Sequence, residues 1–269
     1  MPHRAAAFLP AFALIFSSVS ASQAPRIAST SLCGDSYVLA LAPDRISHLS
    51  WQSRDDLSTA TPAQKRLPQA WDDPEKLVSL NADIILLGPG EDRTARRMLA
   101  NKAVKIVTLN WGEDFDTVRT NARAILQTSD ADAYLSGLDV RLSELKSRAG
   151  KRGVPPRILY LSRAGGTAGP GTYVDAAIIA AGAENAVTTP GWFTPDPEAL
   201  MGYRPDVILT SFFEDGYESI NSNGLRHGAV HRFIKGFPRM DIPGRVWPCA
   251  GPGLIEAAES IADELDKLE

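Results

Sequence analysis

Five tryptophans, two cysteines and a few loop arginines are the side chains of this 269-residue chain best suited to chemistry. Trp51, Trp71, Trp111, Trp192 and Trp247 all stand in segments rich in Gly, Pro, Asp or further aromatics. An indole offers a broad flat apolar face at low rotamer cost with one N–H donor, which suits holding a molecule more than making bonds. Cys33 and Cys249 leave three readings open: a disulfide, as an oxidising compartment favours, thiolate contact with a ligand or metal, or two separate thiols. Catalytic groups are not assembled. His227 and His231 are four apart, but no HExxH pattern or supporting carboxylate set accompanies them, so a structural role fits them better. Gly165–Gly171 lacks the GK[ST] ending of a phosphate loop and suits a turn or a close backbone approach. No GxSxG elbow occurs and no His is placed to activate a Ser, so an enzyme is not expected.

The composition is that of a folded globular chain: 44% apolar and 22% charged residues, with 28 Lys+Arg against 32 Asp+Glu. Disorder, collagen, coiled coil and a disulfide-dense miniprotein are excluded, and without a basic block no nucleic-acid partner is expected. Residues 1–21 read as a signal peptide: basic Arg4, an apolar run from Ala5 to Phe16, then small residues with cleavage after Ala21. That run is too short for a membrane span and contains Pro10. The expectation is a soluble, exported, periplasmic product.

Short apolar runs alternate with helical periods, which predicts an α/β fold. Strands are expected at Arg26–Ser29, Ile46–Ser50, Ile84–Leu87, Lys105–Leu109, Arg157–Leu161, Val207–Thr210 and Arg245–Trp247. An internal repeat organises them. Residues 73–87, DPEKLVSLNADIILL, and 196–210, DPEALMGYRPDVILT, coincide at 7 of 15 positions with a constant offset of 123. In each copy Asp caps a helix, Pro takes its first position, Glu complements the positive helix end, and a buried strand follows. The repeat predicts two related lobes, 22–128 and 153–269. Between them, 129–152 contains Leu135, Leu138, Leu142 and Leu145 at helical spacing, which predicts a long stiff interlobe helix starting near Ala131. The fold class expected is α/β, two Rossmann-like lobes joined by one long rigid α-helix, with a ligand cleft between the lobes.

With a β-rich start, a Pro-Glu helix in each lobe and one long connecting helix, the chain resembles the helical-backbone substrate-binding proteins of ABC importers for corrinoids and ferric siderophores. The segments RIASTSLCGDSYVLALAPDRISHLS (26–50), TAGPGTYVDAAIIAAGAENAV (167–187) and GRVWPCAGPG (244–253) strengthen the likeness. The resemblance implies capture of a chelate that already carries its metal, cobalt or iron, with no cofactor of the protein's own. It implies a monomer that delivers this cargo to an ABC permease in the inner membrane. It also implies that Glu75 and Glu198, one on each lobe, dock onto permease arginines.

On this reading the cleft is lined by loops at strand ends: 31–37, 50–56, 69–73, 88–93 and 110–115 in one lobe, and 162–173, 189–194, 211–217 and 247–253 in the other. The expected ligand-binding residues are Cys33, Tyr37, Trp51, Arg54, Trp71, Arg163, Tyr173, Trp192, Phe193, Phe212, Trp247 and Cys249, with Trp51, Trp71 and Trp192 foremost. Two of the five Trp are expected to close lobe cores instead. Asp35, Asp55, Asp56, Asp72 and Asp73 suggest an acidic rim, unfavourable to a catecholate, while Arg54, Arg93 and Arg163 keep a siderophore open. An exported thiol- or metal-dependent enzyme is the rival reading. Haem or free-metal binding is a third, disfavoured because no His/Asp/Glu cluster is visible.

Overall fold

A computed structural model describes residues 24–71, 73–91, 93–162, 165–211 and 232–268. The first part of the chain contributes strands β1 (Ile27–Ser29), β2 (Ile46–Ser50), β3 (Gln69–Ala70), β4 (Ile84–Leu87) and β5 (Lys105–Thr108). They form one parallel sheet in the order β3-β2-β1-β4-β5. Strands β6 (Arg157–Ser162), β8 (Glu184–Asn185), β10 (Val207–Ser211) and β11 (Arg239–Ile242) form a second parallel sheet in the order β11-β10-β6-β8. β7 (Thr167–Ala168) and β9 (Trp192–Phe193) make a small antiparallel pair.

The two sheets share one plan: the first strand lies centrally, the chain pairs outward on one side, then crosses over to the other. The point where the direction reverses falls between β1 and β4 in one sheet and between β6 and β10 in the other. In open parallel sheets that reversal leaves a crevice at the carboxyl ends of the strands.

The repeat becomes two matching helix–strand units. Helices α2 (Pro74–Ser79) and α7 (Pro197–Gly202) have identical lengths at the 123-residue offset, each with Pro first. Asp73 accepts from the Glu75 amide, and Asp196 from the Ala199 amide. Leu77 and Leu200 are buried at matching positions. The aligned Asp83 and Asp206 play equivalent parts. Their carboxylates accept from the backbone N–H of Arg26 at 2.7 Å and Arg157 at 2.8 Å, fixing the start of each central strand.

Further helices among the described residues include α1 (Leu32–Leu41), α3 (Arg93–Leu99), α4 (Phe115–Ile125), α5 (Thr128–Ala149), α6 (Tyr173–Ala180) and α8 (Leu254–Asp266). The connecting helix α5 starts at Thr128, ahead of the expected start near Ala131, and runs 22 residues, about 33 Å at 1.5 Å per residue. Its predicted face is the packed one, with Leu135, Leu138 and Leu145 buried. Arginine forks tie it to α8: Arg141 bonds Glu259 through Nε and Nη2, and Arg148 reaches Asp263 and Asp266. Just beyond α5, the buried Arg152 bonds Asp266 and donates to the Ala181 and Ala262 carbonyls. On the other side Arg119 of α4 pairs with Asp139 at 2.6 Å. No helix among the described residues is long and apolar enough to cross a membrane.

One predicted strand is corrected. Arg245–Trp247 is not extended; Gly244–Val246 forms a 3-10 turn between Pro243 and Pro248, and the last strand is Arg239–Ile242. That strand alternates buried Met240 and Ile242 with polar neighbours, as an edge strand covered on one face does.

Candidate functional site

The indoles stand in the segments that follow the carboxyl ends of the parallel strands. Trp51 follows β2 directly and Trp71 follows β3; these strands are neighbours, so the rings meet at 6.0 Å and 14°, a stacked pair. Lys76 Nζ lies 5.0 Å from the Trp71 ring centroid. In the second lobe Trp192 is placed by the β7–β9 pair, whose backbones join further at Gly169 N–Gly191 O and Gly191 N–Pro170 O, both 3.0 Å. Gly171 and Gly191 have φ of 82° and 83° there, so the glycine-rich stretch shapes a turn. Trp192 leans on Tyr173 at 4.8 Å and meets Tyr160 edge-on at 6.2 Å.

Trp51, Trp71 and Trp192 are 46%, 39% and 44% exposed, and Trp111 is 70% exposed. A chain that can bury its large aromatics but leaves four of them half open at strand ends offers apolar surface to something else. Arg54 is exposed beside the stacked pair in sequence, one turn beyond Trp51.

Other expected residues lie elsewhere. Tyr37 is 1% exposed, because α1 begins at Leu32, capped by Ser31, and carries Tyr37 inward beside Val38. Its hydroxyl accepts from Asn121 Nδ2 at 3.1 Å, and burial pushes the phenol far above its usual range. Trp247 is 2% exposed and packs against Tyr173 at 5.9 Å, as a core-closing indole. Phe193 is turned by strand alternation onto the cluster of Leu159, Leu161, Leu200 and Ile208. Asp35 is fully buried rather than part of a rim, accepting from Ser50 N at 2.9 Å and Ser50 Oγ at 2.6 Å. Arg163, Phe212, Asp72, His227 and His231 lie outside the described residues, as does the signal segment.

Cys33 and Cys249 form a disulfide with Cα atoms 5.3 Å apart, so neither is a thiolate ligand. It joins the first turn of α1 to the segment after β11, crossing directly between the lobes. Cys249 and Ala250 both adopt the left-handed region, φ 57° and 46°, a costly conformation for non-glycine residues. A Cβ on Gly112 would come within 3.1 Å of the Cys249 carbonyl, so the loop after β5 also abuts this seam.

Glu113, on that loop, is a cross-lobe link that its place in a polar turn did not advertise. One carboxylate oxygen accepts from the Trp111 indole at 3.2 Å and the other from the Tyr173 amide at 3.2 Å. A carboxylate at the first residue of α6 also faces the positive end of that helix. Burial, with Glu113 adding negative charge nearby, pushes the Tyr173 phenol up to about 12, so it stays a protonated donor.

Between the lobes, floored by the disulfide, is a cavity of about 210 Å³ bordered by Ser31, Leu32, Gln52, Leu57, Tyr173 and Trp247. A larger groove of about 520 Å³ lies among α1, α5 and the start of α8, but no indole borders it. The strand-end cavity is therefore the better candidate. No group of three His, Cys, Asp or Glu able to hold a metal ion occurs among the described residues. Glu75 and Glu198 are both exposed, each in the first turn of its repeat helix.

No family model and no curated protein sequence matches the chain. Solved structures do. The periplasmic heme-binding protein HutB of Vibrio cholerae is similar at 21% identity and a TM-score of 0.70, covering 90% of this chain and 98% of its own. The periplasmic heme-binding protein BhuT, in complex with two hemes, is similar at 22% identity and 0.69, with the same coverage. The periplasmic vitamin B12-binding protein BtuF of Vibrio cholerae matches at 16% identity and 0.63, covering 90% of this chain and 97% of its own. The chain thus has the two-lobed α/β fold of the periplasmic heme- and vitamin B12-binding proteins.

Proposed function

We propose that this protein is the periplasmic substrate-binding component of an ABC importer, capturing a metal chelate between its lobes and delivering it to the membrane permease. The observation that carries this reading is the set of half-exposed indoles, Trp51 stacked on Trp71 and Trp192 tilted against Tyr173, at the carboxyl edges of two like sheets. Such faces match a flat macrocycle, and a preformed aromatic surface binds without the entropic cost of ordering loops. The metal arrives already coordinated, so the protein needs no ligating cluster of its own.

Haem stands beside corrinoids and ferric siderophores as cargo, because two of the similar structures are heme-binding proteins and a chelate that brings its own ligands needs no His/Asp/Glu cluster. Function is binding, slight closure and handover, with no bond made or broken. Exposed Glu75 and Glu198 supply one carboxylate per lobe for docking onto permease arginines, whose planar forks favour carboxylates. Titration of the purified protein with haem, cobalamin, cobinamide and ferric siderophores, followed by Trp fluorescence, tests the reading. Saturable quenching with the chelate recovered unchanged is expected; no saturable quenching by any of them, or chemical conversion of one, refutes it.

A further inference from the structure

We propose that the disulfide-floored cavity between the lobes is a specificity subsite that receives an uncharged, hydrogen-bond-accepting arm of the bound chelate, with Gln52 as its principal donor. The inference rests on the importer reading above. Sites for whole drug-sized ligands occupy about 300–1,000 Å³. At about 210 Å³ the cavity is too small for a macrocycle and large enough for one of its peripheral arms. The body of the chelate then lies over the exposed indoles and an arm descends between the lobes.

The lining sets the chemistry of that arm. Gln52 Oε1 is occupied by the Leu32 amide at 3.0 Å, which fixes the side-chain amide, and Nε2 donates to no described residue. Ser31 Oγ accepts from Gly34 N at 3.2 Å, and its O–H, which donates to no described residue, is free to donate to a ligand. The Tyr173 hydroxyl makes no hydrogen bond to a described residue and stays protonated at neutral pH. Donors thus converge from both lobes, Gln52 and Ser31 from one and Tyr173 from the other, and they call for an acceptor. Among the described residues no Lys, Arg or His lines the cavity itself, and the narrow space adjoining it is bordered by both the Asp35 carboxyl and Arg245. Within the cavity a carboxylate arm would meet neutral donors and no cationic wall, so the favoured acceptor is an amide or ester carbonyl.

The test uses the full mature protein, disulfide intact, and three probes: cobinamide with amide arms, haem with carboxylate arms, and iron octaethylporphyrin with alkyl arms. Gln52→Glu keeps an oxygen for the Leu32 amide but replaces the donor by an acceptor. Leu57→Trp fills the cavity from another wall, and thermal melting confirms that both variants fold. Each variant should weaken cobinamide binding at least tenfold while leaving iron octaethylporphyrin binding within twofold of the parent. Unchanged cobinamide binding in both folded variants overturns the subsite, and an equal loss of haem binding overturns the preference for an uncharged arm. Failure of every chelate to bind the unmodified protein would instead defeat the importer reading itself.

Discussion

Asp35 offers a sharp physical test of how the first lobe is built. Its carboxyl is fully buried in the first turn of α1 and accepts from the amide and hydroxyl of Ser50. Burial dominates and raises its pKa from 3.8 to about 6, while the bonds from Ser50 and Ser29 pull the other way. A raised carboxyl pKa means that the folded state holds a proton the unfolded chain has released. Stability from this group is therefore full below about pH 4 and is lost as pH rises through 6. The loss is a little over two pH units at about 1.4 kcal/mol each, roughly 3 kcal/mol. Asp35→Asn keeps an oxygen for the Ser50 amide, gives the Ser50 hydroxyl a donor instead of an acceptor, and never ionises. Its stability relative to the parent should stay within about 1 kcal/mol at pH 4 and rise by about 3 kcal/mol by about pH 7.5, or about 6–12 °C in Tm for a domain of this size. Urea unfolding at half-unit steps from about pH 4 to 8 measures the difference. A constant offset between variant and parent across that range would refute the reasoning.

Trp51→Ala should lower chelate affinity about tenfold or more by fluorescence titration while changing urea stability by less than about 1 kcal/mol, since the ring is half exposed and meets chiefly Trp71. Reversing both docking charges, Glu75→Arg with Glu198→Arg, should leave chelate binding unchanged and cut uptake through the cognate permease about tenfold or more; unchanged uptake would remove these residues from docking. Arg152→Ala should cost about 3 kcal/mol in urea unfolding, because it strands the Ala181 and Ala262 carbonyls as well as releasing Asp266.

Much of the framework was legible because local chemistry and tertiary role agree. The DPE starts and buried runs of the repeat mark helix caps and central strands that touch apolar neighbours on both faces, so composition alone identifies them. The two-residue strands β3, β7, β8 and β9 carry too few residues to show a period, yet β3 leads into Trp71 and β9 carries Trp192. Residues 31–37 read as a loop from their Ser, Cys, Gly and Asp, yet Gly34, Tyr37, Val38 and Leu41 follow helical spacing, the signal that places Tyr37 on the inner face of α1. The pairing of Cys33 with Cys249, and the bridging by Glu113, depend on how the lobes sit against each other. No spacing within one segment encodes that.

The bond between Cys33 and Cys249 turns most of the molecule into a ring, since 216 positions separate its ends. Even a fully unravelled chain remains a closed circuit, and loop-closure entropy of that size amounts to about 5 kcal/mol at room temperature. In the folded molecule the bond holds the start of α1 against the far C-terminal turn. A chain held in a reducing compartment stays linear and easier to unravel, and exposure to an oxidising one locks it.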